Sequence, residues 1–469
     1  MRPDPKNYSI FPSVIKADTL SYMTVVPNER GFVFTDGDVY DVTVISVSID
    51  DPNYYAPTMH KHLSAEAKDG ALCFEYLFEG EGEHIIILSK NEKPVQEFNV
   101  YSVYEDLFSL TPLKGDLHAH SYRSDGKRDP SALAGHYREQ GYDFFSLTDH
   151  NRYYPGEEVD ETYSGVNTGL LRVIGEEVHT PGSVVHIVHV CGEKSVTDLY
   201  VHDLEGYEKD IAEYIKKVPA SIPEKYCSRY AKAMWTTDKI HEAGGIAIFP
   251  HPYWRPGKSR SYNVTDEFAR ILLKSGMFDA FEIVGAMEWD GINRALALWS
   301  ELRAEGYDIG VVGSSDTHGL KDSRTFSSCY NICFAQSNSI DGIRDAVKNK
   351  NCVAVEATDT STGTQYRAYG SLRLVSYAQF LLKYYFPTRH RLCHGEGVAM
   401  RAYAMGDTSK ELVELSAKLA KDFSLRYFGK VAPKLPSDEI RDFKARRDIV
   451  QANGPKLKGS TLDFNYPME

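Results

Sequence analysis

Long apolar runs are missing from this chain of 469 residues, and so is an apolar h-region behind the N-terminal segment M-R-P-D-P-K-N-Y-S-I-F-P-S. Neither a bilayer span nor a secretory leader is expected. A paired cysteine framework is also missing. The seven cysteines (Cys73, Cys191, Cys227, Cys329, Cys333, Cys352 and Cys393) are odd in number and dispersed, which predicts reduced thiols and a cytoplasmic home. Cys329 and Cys333 stand too far apart for a C-x-x-C redox pair and read as core residues. Basic charge is in deficit, with a formal net charge of -13. That balance argues against non-specific binding to nucleic acid or anionic membrane, so neither is expected as a partner; a small or locally charged substrate fits better. Fixed-period repeats and low-complexity blocks are absent, which excludes a solenoid.

A hydrophobic content of 42% is enough to fill a sizeable core, and the length suits a barrel of roughly 250 residues with additions. Residues 1–110 alternate with the period of strands, at 39–49, 71–78, 83–88 and 97–103, with no helices between them. They read as a small antiparallel β-sandwich. Over residues 111–356 strand and helix patterns alternate, with helices expected near 130–140, 234–243, 266–275 and 292–304. Repeated strand-then-helix units imply a parallel sheet, most simply a barrel with its chemistry at the C-terminal strand ends. After a polar stretch at 357–365, residues 357–469 read as a helical extension, with helices near 371–385 and 410–423 and a mobile tail.

The chemistry-bearing residues gather at the predicted strand ends. K-G-D-L-H-A-H-S carries His118 and His120, and Asp125 follows in S-D-G. In extended chain, residues i and i+2 face the same side, so both imidazoles can meet one cation. Two ligands hold a metal poorly, and further donors recur downstream. L-T-D-H-N gives Asp149 and His150, G-E-E-V-H gives Glu176, Glu177 and His179, and V-V-H-I-V-H-V gives His186 and His189. F-P-H-P gives His251, and G-S-S-D-T-H gives Asp316 and His318. Burying so many His, Asp and Glu side chains without a cation would be costly.

Together these motifs resemble, in order and style, the PHP (polymerase and histidinol phosphatase) metal-dependent phosphoesterase family, in a form similar to its CehA/McbA-type branch. The resemblance spans residues 113–356. It implies a distorted (β/α)7 TIM-like barrel with a two- or three-metal site of Zn, Mn or Fe. By the family pattern His118 and His120 are ligands of one metal, Glu177 bridges two, and Asp125 and His150 serve a neighbouring one. His251 matches the H-P histidine, and Asp316 and His318 match the final D-x-H pair; Asp316 and His251 are also the candidate catalytic residues. The family often has one histidine after G-x-E where this chain offers His179, His186 and His189. We favour His186, since strand alternation turns His189 to the opposite face.

Divalent cations acidify bound water and neutralise charge developing on phosphoryl oxygens, so such a site suits hydrolysis of a small phosphorylated metabolite. Hydrolysis of a carbamate or carboxylic ester on the same metals, or a non-catalytic metal-binding module, are the alternatives. A phosphate also wants cationic side chains outside the metal shell, for which Arg123, Arg255 and Arg324 are candidates on loops at the active end. Asp149 reads as an orienting or capping residue. His136, His202 and His241 read as structural or surface residues, and M-H-K-H at 59–62 as a solvated loop. R-H-R-L-C-H-G-E at 389–396 reads as a helix end or surface loop, not a zinc site.

Overall fold

A computed structural model describes residues 6–47, 60–257, 259–320 and 325–453, and the chain divides into two units. One takes the chain up to Tyr104 and again from Arg426; the other runs Glu105–Leu425.

Among the described residues the first unit holds eight strands: β1 (Tyr8–Phe11), β2 (Val14–Lys16), β3 (Leu20–Pro27), β4 (Val39–Ser46), β5 (Lys61–Lys68), β6 (Ala71–Leu77), β7 (Gly82–Lys90) and β8 (Lys93–Val103). Their hydrogen-bonded order is β1-β3-β6-β5-β4-β7-β8-β2. Alternation along the strands drives this: Tyr40, Val42 and Val44 of β4 turn inward against Ile86, Leu88, Phe98 and Val100. Only Pro12 and Ser13 separate β1 from β2, yet these strands stand at opposite ends of the order. The expected sandwich is therefore a nearly closed eight-stranded barrel. Strand β5 joins its two halves: it pairs with β4 over most of its length and turns at Ala67 and Lys68 into β6. Strands β1, β2, β3 and β5 escaped the sequence reading. Two are short, and the run of buried residues Met23, Thr24, Val25 and Val26 masks the alternation of β3. Within M-H-K-H, Met59 lies outside the described residues. Lys61 and His62 open β5 instead of a loop, and His62 Nδ1 lies 3.1 Å from Thr43 Oγ1.

The second unit contains β9 (Thr111–Asp116), β10 (Phe144–Ser146), β11 (Leu171–Val173), β12 (Gly175–Val178), β13 (Ile187–Val190), β14 (Ile246–Phe249), β15 (Ala280–Val284), β16 (Gly310–Gly313), β17 (Cys329–Ala335), β18 (Cys352–Thr360) and β19 (Gly363–Tyr369). These make a six-stranded sheet, β11-β10-β9-β17-β18-β19, and a five-stranded sheet, β12-β13-β14-β15-β16. Parallel bridges Ala119↔Thr317 and His150↔Glu177 tie one sheet to the other near the strand ends. Helices Pro130–Glu139, Cys227–Glu242, Asp266–Lys274 and Trp289–Ala304 fall between strands as expected, so the architecture is mixed α/β.

The sheets are not uniformly parallel, which corrects the sequence reading. Strand β13 runs antiparallel to β12 and β14, and β17 runs antiparallel to β9 and β18. The physical reason lies in chain length: residues 179–186 between β12 and β13 are too few for a helical crossover, so the chain must return antiparallel. The polar stretch 357–365, counted with the helical extension, lies instead in the hairpin of β18 and β19, where Thr and Tyr suit an extended surface strand. Residues expected as a tail include the helix Asp438–Asn453.

The segment R-H-R-L-C-H-G-E, expected as a helix end or loop, lies inside the helix Phe386–Ala404. This helix packs against Pro130–Glu139 closely enough that a Cβ on Gly397 would lie 2.3 Å from the backbone nitrogen of Glu139. Glu396, fully buried, takes the Nε–H of buried Arg138 at 2.7 Å and the backbone N–H of Gly169 at 2.6 Å. Replacing Glu396 by Ala would strand a buried guanidinium. It should lower the unfolding free energy of this unit by about 3 kcal/mol, measured by denaturant titration, with Glu396→Gln losing less.

Candidate metal centre

The residues before and after β9 explain why His118 and His120 face one point. The chain stays extended past Asp116, pinned on one side by Asp316 N–H to His118 O (2.8 Å) and His120 N–H to Thr317 O (2.9 Å). On the other side Thr148 N–H reaches Ala119 O at 2.8 Å. His118 and His120 thus keep strand alternation between the ends of β10 and β16. Asp149 accepts from the backbone N–H and hydroxyl of both Ser121 and Ser124, which holds the turn carrying Asp125. It orients the loop, as expected. His251 and Asp316 sit at positive φ (24° and 46°), backbone states that persist where surrounding structure imposes them.

Glu177, fully buried at the end of β12, lies at the middle of the cluster. Its Oε2 lies 3.3 Å from His118 Nε2, 3.4 Å from His120 Nε2 and 2.8 Å from His150 Nδ1. Its Oε1 lies 2.8 Å from His186 Nδ1, 3.1 Å from His251 Nε2 and 3.5 Å from His179 Nε2. One carboxylate therefore presents each oxygen to a different set of imidazoles. Asp316 Oδ1 lies 2.7 Å from His120 Nε2 and 3.3 Å from His118 Nε2. Asp125 lies 3.5 Å from His150 Nε2 and 3.2 Å from His318 Nε2, and the His120 ring stands between those of His150 and His318, 4.3 Å from each.

These contacts resolve into four overlapping groups, each with donor atoms within 4.8 Å of one another. They are His118, His120, Glu177 and Asp316; His120, Asp125, His150 and His318; His150, Glu177 and His179; and Glu177, His186 and His251. Every metal-ligand candidate from the sequence falls in this cluster. His179, weighed but not favoured, joins it, while His189 turns away to Glu176, 3.0 Å distant. His136 and His241 pair instead with Glu139 and Asp279, and His202 lies exposed on its helix.

The electrostatics are those of a centre that wants positive charge. Burial alone would push the His118 imidazole down, but Asp316, Glu177 and Glu282 together hold it well above its usual value. For His150 burial is outweighed by Asp125 and Glu177, raising it to about 10. His186 is left at about 4 because burial outweighs Glu177. Burial would raise Glu177, yet the imidazoles of His118 and His186 keep it well below the carboxylate range. Several buried atoms here have no hydrogen-bond partner: His118 Nε2, His120 Nε2, His150 Nδ1, His179 Nε2, His251 Nδ1, Glu177 Oε2 and Asp316 Oδ1. Desolvated donors left unpaired are costly, and divalent cations held by mixed imidazole and carboxylate ligands would satisfy them.

One residue of the centre was missed. Glu282, buried on β15, lies with Oε2 3.0 Å from His118 Nδ1 and so turns Nε2 toward the cluster. A glutamate inside the apolar run A-F-E-I-V was the available signal. Two of the cationic candidates are held by carboxylates: Arg123 donates to Glu158 at 2.6 and 2.8 Å, and Arg255 donates to Asp290 beside Tyr262. Arg324 lies outside the described residues.

No family model matches the chain. It is 26% identical over 256 residues to a 5'-3' exoribonuclease of Haemophilus influenzae, covering 43% of this chain and 89% of that protein. It is 40% identical over 230 residues to the DNA polymerase/3'-5' exonuclease PolX of Bacillus subtilis. That match covers 48% of this chain but 38% of PolX, so the chain spans little more than a third of that relative. A solved two-domain protein of Bacteroides vulgatus, containing a predicted PHP-like metal-dependent phosphoesterase, is 18% identical with a TM-score of 0.35, over 56% of this chain and 76% of that one.

Removing the orienting carboxylate tests the centre directly. Glu282→Ala should weaken divalent-metal affinity by about 10- to 100-fold in a chelator competition while the circular dichroism spectrum is unchanged. Unaltered affinity would dismiss Glu282 from the centre.

Proposed function

We propose that this chain is a metal-dependent hydrolase that releases phosphate from a small phosphorylated metabolite, on a distorted (β/α)7 barrel of the CehA/McbA-type. The observation that carries this is Glu177, whose two oxygens each address a separate set of imidazoles. A bridging carboxylate needs that arrangement. His118, His120 and Asp316 would hold a first cation with Glu177; His179, His186 and His251 surround the other oxygen; Asp125, His150 and His318 would complete a third position beside His120. When bound, Zn, Mn or Fe ions supply Lewis acidity toward a phosphoryl oxygen and acidify nearby water.

The chain's own residues do the rest. Glu282 fixes the His118 ring, Asp149 fixes the Asp125 loop, and the positive-φ turns at His251 and Asp316 aim both side chains inward. Asp316 and His251, which flank Glu177, are the residues we propose to meet the reacting groups. Arg255 follows the H-P turn, and a phosphate would compete with Asp290 for its guanidinium.

A second reading is cleavage of a nucleic-acid phosphodiester, favoured by the names of the two curated relatives, both exonucleases. The net charge of -13 speaks against it. Hydrolysis of a carbamate or ester needs the same centre and is separated only by assay.

Purified protein should carry two or three Zn, Mn or Fe per chain by elemental analysis, and His118→Ala with Asp316→Ala should lose both metal and turnover. Wild-type protein that takes up no metal on reconstitution would defeat the proposal. In a panel with Mn or Zn, p-nitrophenyl phosphate should turn over faster than bis-p-nitrophenyl phosphate, naphthyl carbamate or a single-stranded oligonucleotide. Preference for the oligonucleotide would select the nuclease reading, and preference for the carbamate would select carbonyl hydrolysis.

A further inference from the structure

The helix Lys410–Tyr427 is amphipathic in an unusual sense, because both of its faces carry apolar side chains. One face is buried: Val413, Ala417 and Ala420 pack inward, Phe423 stacks on Tyr385 with ring centroids 5.8 Å apart, and Glu414 accepts the backbone N–H of Asn167. The other face carries Leu412, Leu415 and Leu419, which are 48%, 57% and 55% exposed. Their spacing of three and four residues lines them along one stripe of the helix. Single exposed leucines are ordinary, but three in register on one helix face are a contact surface.

The flanking charges say what fits there. Glu411 borders the stripe near its start and Lys418 borders the same side one heptad later, both exposed. Turned end for end about a twofold axis at Leu415, a second identical helix sets Leu415 against itself. The same rotation sets Leu412 against Leu419, and Glu411 beside Lys418. An isologous contact of this kind requires a self-complementary patch, and this stripe is one in both shape and charge.

We propose that a second copy of this chain packs on this face, as an antiparallel helix pair about Leu415. The area sets its strength. An 18-residue helix is about 27 Å long and about 10 Å across, so the helix pair alone covers roughly 270 Å² per copy. A standard stable interface covers about 800 Å² per partner. The dimer is accordingly weak and concentration-dependent, and Lys418 exchanges its own helix's Asp422 for the partner helix when the pair forms.

Sedimentation equilibrium of the full chain from low to high micromolar concentration should show a reversible monomer–dimer equilibrium. Leu415→Glu should raise the dimer dissociation constant about tenfold or more, and Glu411→Lys and Lys418→Glu should each weaken it. The double variant Glu411→Lys with Lys418→Glu should recover the dimer, because the swapped charges face each other again. Circular dichroism and metal content, unchanged in all four variants, would verify folding. A monomer at every concentration, a dimer indifferent to Leu415→Glu, or a double variant no better than the single ones would each overturn the proposal.

Discussion

A carboxylate with no exposed surface stands among six imidazoles, and the second unit is arranged around that fact. Glu177 shares Oε2 with His118, His120 and His150 and Oε1 with His179, His186 and His251. Burying one charged oxygen is expensive; here both oxygens are buried and both face imidazole nitrogens. Protons on His118 and His150 can balance the charge of Glu177, Asp316 and Asp125, and divalent cations held by these residues would do so while releasing those protons.

The backbone around this carboxylate is organised to keep it there. The bridge between His150 and Glu177 and the bridge between Ala119 and Thr317 join two sheets just where the ligands lie. Each donor comes from a strand end, from the turn beyond it or, for His186, from the residue just before β13, places where a rigid sheet meets chain free to adopt special conformations. His251 and Asp316 use that freedom, and Glu282 supports from within β15, a strand that contributes no ligand to the four groups. Rigid support explains how so many like side chains are held in one volume without relaxing apart.

Much of this was readable in the chain. His118, His120, Asp125, His150, Glu177, His186, His251, Asp316 and His318 were all candidates from strand-end placement, a local property, and the family resemblance implied their roles as ligands. What escaped was non-local. The place of His179 in the cluster depends on the short return between β12 and β13, and the function of Glu282 depends on its distance to a residue 164 positions away. Arg123 and Arg255 lie on loops of the expected kind but are taken by Glu158 and Asp290, partners 35 residues away in each case. The first unit was harder, since short strands with interrupted alternation do not announce their pairing order.

The amino-acid order by itself determined which residues can carry chemistry and where the chain alternates, since donor type and hydrophobic period reside in neighbouring residues. The shared face of His118 and His120 and the helical character of 130–139 were settled there. Tertiary structure decided which oxygen of Glu177 meets which ring, that β13 returns antiparallel, that the first unit nearly closes, and that Arg138 is buried against Glu396. These are distances between residues far apart in the chain, and only packing of the whole unit sets them.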